Sequence, residues 1–134
     1  MITSPVRNEL IITNRDLAKL RHMIDIHDTE ASELLDSELQ RATVVDPREV
    51  PPTVVTMNSE VAYEDCATGE RRRVRVVFPN EADAARGRVS VMAPIGSALI
   101  GLSVGQEIEW PVPAGRKRIR VVEIPYQPEA SGAR

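Results

Sequence analysis

The residues best suited to chemistry in this sequence are four carboxylates that lie close together: Asp25, Asp28, Glu30 and Glu33. Clustered carboxylates can bind a hard cation such as Mg²⁺. Helix capping explains the same cluster more simply, because Glu30 and Glu33 fall in the first turn of a predicted helix and interact favourably with its dipole. We therefore predict no metal site here.

Histidine and cysteine offer no second reactive centre. His22 and His27 are five residues apart, which places them about 140° apart around a helix and so on different faces. They are the only two histidines and Cys66 is the only cysteine, so the spacing of a zinc site is lacking. Cys66 has no histidine near it in sequence to activate it as a nucleophile. We predict no catalytic, metal or cofactor site, and no enzyme.

The charge pattern argues against nucleic-acid binding by the N-terminal third, and the best candidate for such binding is the basic run at residues 71–75. The net charge is −3, and acids outnumber bases before residue 50, which argues against charge-driven binding of nucleic acid by that part. The basic run Arg71-Arg72-Arg73-Val74-Arg75 predicts a solvated strand face or, as the alternative, a contact for an acidic partner. A single cysteine fits a reducing cytosol, and we see no signal peptide or membrane-spanning run, so we expect a cytoplasmic protein.

The N-terminal third predicts two helices. Apolar residues at spacings of three and four predict an amphipathic helix over residues 15–27, and a second such set predicts a helix over residues 30–43 with Thr29 as its cap. Helices joined by two or three residues run antiparallel, so we expect a short coiled-coil hairpin within a domain of residues 1–48, each helix about 20 Å long. The tip of this hairpin carries Asp25, Asp28 and Glu30.

From residue 53 onward the apolar residues alternate with polar ones, which is typical of strands. Prolines at the preceding connector prevent the helices from continuing. The predicted strands cover residues 54–57, 61–65, 72–78, 88–91, 107–112 and 118–124. With one short helix after the fourth strand, this pattern predicts an α+β domain over residues 49–134, built on an antiparallel meander. Residues 126–134 show no periodicity, and we expect their end to be frayed.

The segment from Ser90 to Gly105 is the best-defined part of the chain. Pro94 ends a strand and suits the first position of a helix, because its φ is helix-compatible and its missing N–H is not needed there. Gly105 supplies a turn before the next alternating run. None of these side chains is suited to acid–base or nucleophilic chemistry, so we interpret the segment as a structural and docking element.

The order of the elements and the residues of this segment resemble the Gre transcript-cleavage factors. Residues 90–101, Ser-Val-Met-Ala-Pro-Ile-Gly-Ser-Ala-Leu-Ile-Gly, look like the Gre pattern I-S-x-x-S-P-x-x-x-x-L-(I/L)-G. The similarity is greatest to the Rnk subgroup, in blocks at residues 54–59, 90–94, 98–105 and 126–130. These blocks cover the C-terminal two-thirds of the chain, whereas the hairpin resembles the family only in layout. The resemblance implies an FKBP-like fold from about residue 53.

The resemblance also implies a partner, core RNA polymerase, bound by a monomer at the rim of the polymerase secondary channel. Met92, Ala93 and Pro94 match the docking contact of Gre factors, and Ile95 follows them. Pro94 is kept, whereas the polar pair that precedes it in Gre factors is replaced by Met92 and Ala93, as in Rnk. We therefore expect docking through apolar contact and shape.

The hairpin predicts how the function differs from that of Gre factors, whose longer coiled coil carries an acidic tip into the polymerase active site and promotes RNA cleavage there. A hairpin of about 20 Å is far shorter, so we expect the protein to occupy the channel in competition with Gre factors and without transcript cleavage. One alternative is cleavage stimulated by the acidic tip. The other is peptidyl-prolyl isomerase activity, suggested by the FKBP-like topology, although four scattered aromatic residues make a poor proline pocket.

Overall fold

The computed structural model describes residues 9–27, 29–113 and 115–132. The N-terminal part consists of two helices between two short strands: β1 (Ile11–Thr13), α1 (Asn14–Ile26), α2 (Glu30–Gln40) and β2 (Thr43–Val45). A five-stranded sheet follows, made of β3 (Glu60–Asp65), β4 (Arg71–Val77), β5 (Arg88–Ser90), β6 (Glu107–Val112) and β7 (Gly115–Tyr126). Two further helices accompany it, α3 (Pro94–Leu99) and α4 (Pro128–Ser131). The fold is therefore mixed α+β, as predicted.

Both N-terminal helices are present, although each ends earlier than the periodicity predicted. The side chain of Thr13 caps α1, and Thr29 caps α2 as predicted. α2 ends at Gln40 because the N–H groups of Arg41 and Ala42 turn back to carbonyls three residues earlier, and the chain then enters β2. The helices have 13 and 11 residues, and helices this short do not establish the predicted coiled coil. No helix among the described residues is long and apolar enough to cross a bilayer.

Strands β1 and β2 enclose the helical pair, and the periodicity did not predict them. They pair in parallel, with Ile11 opposite Thr43 and Thr13 opposite Val45. Ile12 in β1 is buried. The chain therefore leaves for the two helices and returns from them at neighbouring positions.

The predicted antiparallel meander is wrong in its topology. The strand order is β5-β4-β3-β7-β6, and β4 pairs with β5 in parallel while the other pairs are antiparallel. Short 3₁₀ turns at Pro79–Glu81 and Ala84–Arg86 carry the chain back along β4, so β5 runs in the same direction as its neighbour. The sheet is therefore mixed.

Residues 54–57 were predicted to form a strand, and this prediction is also wrong. Only Val54 makes an isolated bridge, to Ser103, although the whole stretch is buried. Val55 donates its N–H to the carbonyl of Leu102 at 2.8 Å and accepts the N–H of Gly101 at 3.0 Å. The segment is thus an irregular, hydrogen-bonded part of the interior.

One hydrophobic core joins the helical pair to the sheet. It includes Leu20 from α1, Leu35 from α2, Val61 from β3 and Ile119 from β7, all fully buried. Residues 128–131 form α4, whereas the end of the chain that we expected to be frayed, residues 133 and 134, lies outside the described residues. The side chain of Gln127 caps α4 and also donates hydrogen bonds to the carbonyls of Pro51 and Val54, at 2.8 Å each.

Candidate docking turn and helical pair

The segment that leads from β5 into the start of α3 holds all four residues predicted to contact a partner, and we call this segment, Met92–Ile95, the docking turn. Its backbone is tied to the preceding strand: the N–H of Met92 bonds to the hydroxyl of Ser90 at 3.0 Å, and the N–H of Ala93 bonds to the carbonyl of Ser90 at 2.9 Å. Val91, which lies between Ser90 and Met92, is fully buried and donates its N–H to the carbonyl of Val77 at 2.8 Å. The backbone at the start of the docking turn is therefore bonded to the strand that precedes it.

The side chains of the docking turn form a small apolar surface. Pro94 is exposed, while Met92, Ala93 and Ile95 are half-buried. Met92 and Ile95 also pack against the core, so each presents only part of its surface to solvent. Pro94 occupies the first turn of α3, as predicted. The turn carries no charged side chain, which favours a contact made through shape and apolar area.

Gly96 allows α3 to pack against the end of β5. A Cβ atom at this position would lie 2.0 Å from the carbonyl oxygen of Ser90 and 2.9 Å from the Cα of Val91. No side chain fits in that space without moving the backbone. Gly96 thereby sets the angle at which Pro94 and Ile95 are presented.

Gly101 connects the docking region to the base of the helical pair. Its φ of +85° lies in the left-handed region that glycine adopts without strain. Its N–H bonds to the carbonyl of Val55, and its carbonyl accepts the N–H of Ile11 in β1 at 3.0 Å. The segment that begins at the docking turn therefore supports the strand from which α1 departs.

Asp16, an acidic residue in the first turn of α1, has a structural role. It is 6% exposed, and its Oδ2 accepts the N–H of Met57 at 3.1 Å. Burial raises the pKa of Asp16 from 3.8 to about 6, against the opposing effect of the Met57 N–H, and the nearby carboxylate of Glu129 adds to the rise. Glu129 itself accepts a hydrogen bond from the hydroxyl of Thr56 at 2.7 Å. The first turn of α1 is thus fastened to the irregular segment beneath it.

Of the residues predicted at the hairpin tip, Asp25 lies in the last turn of α1 and Glu30 begins α2. Asp25 and Glu30 are exposed, and Asp28 lies outside the described residues. Within the ranges that the structure describes, no three His, Cys, Asp or Glu side chains are grouped so as to hold a metal ion. Ile26 is 63% exposed beside them. The ring of His27 bonds through Nδ1 to the carbonyl of Met23 at 3.0 Å, and this bond satisfies a carbonyl at the C-terminal end of α1.

Three of the four arginines of the basic run, Arg71, Arg72 and Arg75, are paired with carboxylates. A chain of ion pairs crosses four strands, with N–O distances between 2.5 and 3.6 Å. Its members, in order, are Arg71, Glu64, Arg120, Glu107, Arg118, Glu109 and Arg116. Exposed ion pairs add little stability each, but they neutralise the arginines that take part in them.

Cys66 is exposed at the turn after β3. Desolvation, together with the carboxylate of Glu107, raises the pKa of its thiol. A thiol with a raised pKa stays protonated near neutral pH and is a poor nucleophile. The geometry therefore supports the structural interpretation of this cysteine.

Comparison with known proteins identifies both parts of the chain. The family model "Transcription elongation factor, GreA/GreB, C-term" matches residues 50–126, and the model "Rnk N-terminus" matches residues 8–45. The chain is 43% identical over 102 residues to the regulator of nucleoside diphosphate kinase of Escherichia coli K12, covering 75% of each protein. It is 37% identical over 93 residues to the GreA of Pelobacter propionicus, covering 69% of this chain and 59% of that protein.

Solved structures agree with the sequence matches. A GreA/GreB elongation factor from Nitrosomonas europaea superposes with a TM-score of 0.75 at 40% identity, covering 90% of this chain and all of that one. Thermus aquaticus Gfh1 superposes with a TM-score of 0.51 at 27% identity, covering 88% of this chain and 99% of that one. The chain therefore belongs to the GreA/GreB family of transcription elongation factors, in its Rnk branch, and is a regulator of that type rather than an enzyme.

Proposed function

We propose that this protein binds core RNA polymerase at the rim of the secondary channel and competes there with Gre factors without stimulating transcript cleavage. Members of the Gre family bind RNA polymerase, which gives the partner. The observation that carries the proposal is the docking turn, an apolar and charge-free surface whose backbone is held by Ser90 and Val91. On this proposal the protein acts as a monomer in the cytoplasm, where polymerase is found.

The docking turn is suited to a preorganised contact. Because its backbone hydrogen bonds are already made, binding does not have to order the loop. The affinity is therefore not lowered by the entropy cost of that ordering. Its apolar side chains, Met92 and Ile95, retain partial exposure, and a thioether adapts easily to an irregular surface. Polymerase would cover Pro94, the most exposed of the four residues.

The helical pair supports the part of the proposal that excludes cleavage. Helices of 13 and 11 residues span about 20 Å and about 16 Å. We propose that they form a short coiled-coil arm, residues 1–48, that enters the mouth of the channel while residues 49–134 dock outside it. An arm of this length would stop before the catalytic centre that the longer arm of Gre factors reaches.

A competition experiment tests docking. A fluorescently labelled Gre factor is bound to core polymerase, and wild type, Pro94→Arg or Pro52→Arg is titrated into the complex. Pro52 is an exposed proline of the connector and serves as the matched control. We expect wild type and Pro52→Arg to displace the Gre factor equally. We expect Pro94→Arg to require at least about tenfold more protein, because an unpaired charge would be buried in an apolar contact.

Two results would contradict the proposal. If an excess of wild type fails to displace the Gre factor, the competition mechanism is wrong. If Pro94→Arg displaces it as well as wild type does, the docking turn is not the contact.

A stalled elongation complex tests the proposal that the protein does not stimulate cleavage. RNA shortening by wild type that disappears in Asp28→Ala plus Glu30→Ala would show that the acidic tip promotes cleavage after all.

A further inference from the structure

A cavity of about 330 Å³ opens where β4 pairs with β5, on the sheet and away from the docking turn's side chains. Four arginines line it, with one carboxylate among them: Arg73, Arg75, Arg86, Arg88 and Glu60. The arginines come from both strands and from the turn that joins them. The polymerase-binding proposal uses none of these residues.

The strand register places three of the guanidinium-bearing side chains on one face. Arg75 is directly opposite Arg88 in the parallel pair, and Arg73 lies two residues before Arg75 on the same strand. Residues two apart on a strand share a face, and like charges on adjacent strands repel one another. The cluster is therefore unfavourable unless anions compensate it.

The described residues compensate only half of this charge. Arg75 pairs with Glu60 at 2.9 Å, and Arg86 pairs with Asp83 at 3.6 Å. Within the part of the chain that the structure describes, the guanidinium groups of Arg73 and Arg88 have no ion pair, whereas the other arginines of the sheet strands are each paired with a carboxylate. Two positive charges therefore remain in the cavity.

Arg75 is also held in place from a second direction. Its guanidinium lies over the ring of Tyr126, 5.0 Å from the ring centre, while its NH2 group bonds to Glu60. A cation fixed between an aromatic face and a carboxylate loses little side-chain freedom when a ligand arrives. One side of the cavity is thus preorganised.

We propose that this cavity binds a compact anion that carries a phosphate or diphosphate group. Guanidinium groups match phosphate oxygens with two parallel hydrogen bonds, and a phosphate monoester carries about two negative charges near neutral pH. This charge matches the two that remain on Arg73 and Arg88. The volume of about 330 Å³ lies at the lower end of the range for small-molecule sites.

A nucleic-acid strand fits the surroundings less well than a compact anion does. A strand needs a continuous positive track and aromatic rings on which its bases stack. Beyond the cavity, the exposed face of the sheet is crossed by the chain of ion pairs, and the ring of Tyr126 is already covered by Arg75. The positive charge is therefore local.

Calorimetric titration with inorganic pyrophosphate and with inorganic phosphate tests the proposal. The test variant is Arg73→Gln plus Arg88→Gln. The matched control is Arg71→Gln plus Arg116→Gln, which removes two exposed arginines of the same sheet outside the cavity. We expect saturable binding of pyrophosphate by wild type and by the control. We expect the affinity of the test variant to fall at least about tenfold, because each charge-assisted contact contributes a factor of that order.

The position of the site is checked by nuclear magnetic resonance on the wild type, where pyrophosphate should shift the amide signals of Gly87 and Arg88 first. Absence of saturable binding at millimolar pyrophosphate would overturn the proposal, and so would equal affinity in the test variant. Tighter binding of a short single-stranded oligonucleotide, lost in the same variant, would overturn it in favour of nucleic acid. The titrations contain no polymerase, so their failure would leave the docking proposal untouched.

Discussion

The two N-terminal helices begin in the same way but in different surroundings. Thr13 and Thr29 each accept a hydrogen bond from the backbone N–H three residues later, at 3.1 Å in both cases. Thr13 is buried, and the residue that it caps, Asp16, reaches on to the backbone of Met57. Thr29 is exposed, and its bonds reach only the first turn of α2 and the neighbouring His27. One local motif therefore anchors the helical pair at one end and only starts a helix at the other.

This difference teaches that the helical pair is fixed from its base. The base combines the bond from Ile11 to Gly101, the buried Asp16 and a continuous core, whereas the turn between the helices exposes Ile26 and its neighbouring carboxylates. Stability should therefore depend on residues near the base, and residues at the turn should be open to change without loss of the fold. Three pairs of measurements test this contrast.

The largest effect is expected from the same substitution at the two ends, Ile12→Ala and Ile26→Ala. Ile12 is 2% exposed and Ile26 is 63% exposed. Removing the buried side chain loses transfer free energy and leaves a cavity, so we expect the free energy of unfolding to fall by about 2–5 kcal/mol at residue 12. We expect a change within about 0.5 kcal/mol at residue 26. Urea denaturation measures both, and equal losses would refute the contrast.

The next effect is the pH dependence conferred by Asp16. Its pKa is raised from 3.8 to about 6 in the folded protein, so the folded state keeps a proton that the unfolded chain releases. The contribution of this group to the free energy of unfolding therefore falls as pH rises from about 4 to about 6, by up to about 3 kcal/mol, and is level at higher pH.

Asp16→Asn isolates this contribution, because the amide oxygen can still accept the N–H of Met57. We expect the variant to match wild type near pH 4 and to become progressively more stable than wild type up to about pH 6. Urea denaturation between pH 4 and pH 8 measures the difference. A difference that stays constant over this range would show that Asp16 does not titrate as its burial implies.

The smallest effect is expected from the two caps. Thr13→Ala leaves the N–H of Asp16 buried without its partner, so we expect a loss of about 2 kcal/mol. Thr29→Ala removes the side-chain acceptor of the Ser32 N–H at a cap whose own side chain is exposed, and we expect a loss of about 0.5–1 kcal/mol. Thermal denaturation of both variants gives the comparison. A larger loss of stability for Thr29→Ala than for Thr13→Ala would contradict the conclusion that the helical pair is fixed from its base.

Local chemistry was sufficient to predict the helices. Spacings of three and four predicted α1 and α2, and Pro94 predicted the start of α3, because these signals act within a few residues. The position of the docking turn came from its resemblance to Gre factors. Its contact with polymerase stays a prediction.

Pairing partners could not be predicted in the same way. Alternation identifies a strand but carries no information on which strand lies beside it, so the parallel pairing of β4 with β5 was missed. Val54–Met57 alternates poorly and is buried by its surroundings, not by a sheet. Asp16 and the cavity around Arg73 and Arg88 both depend on contacts between distant segments. A buried acid in the first turn of a helix looks the same in sequence as an exposed one.

The parallel ribbon of β1 and β2 has a consequence for how such proteins diversify. Adjacent strands lie about 4.8 Å apart, so the chain leaves for the helical pair and returns from it at neighbouring positions. Segments whose ends meet this closely can be exchanged or lengthened with little disturbance to the remainder. A longer or shorter helical pair can therefore replace this one on an unchanged base. The length of the helices can then evolve independently of the contacts that join them to the rest of the molecule.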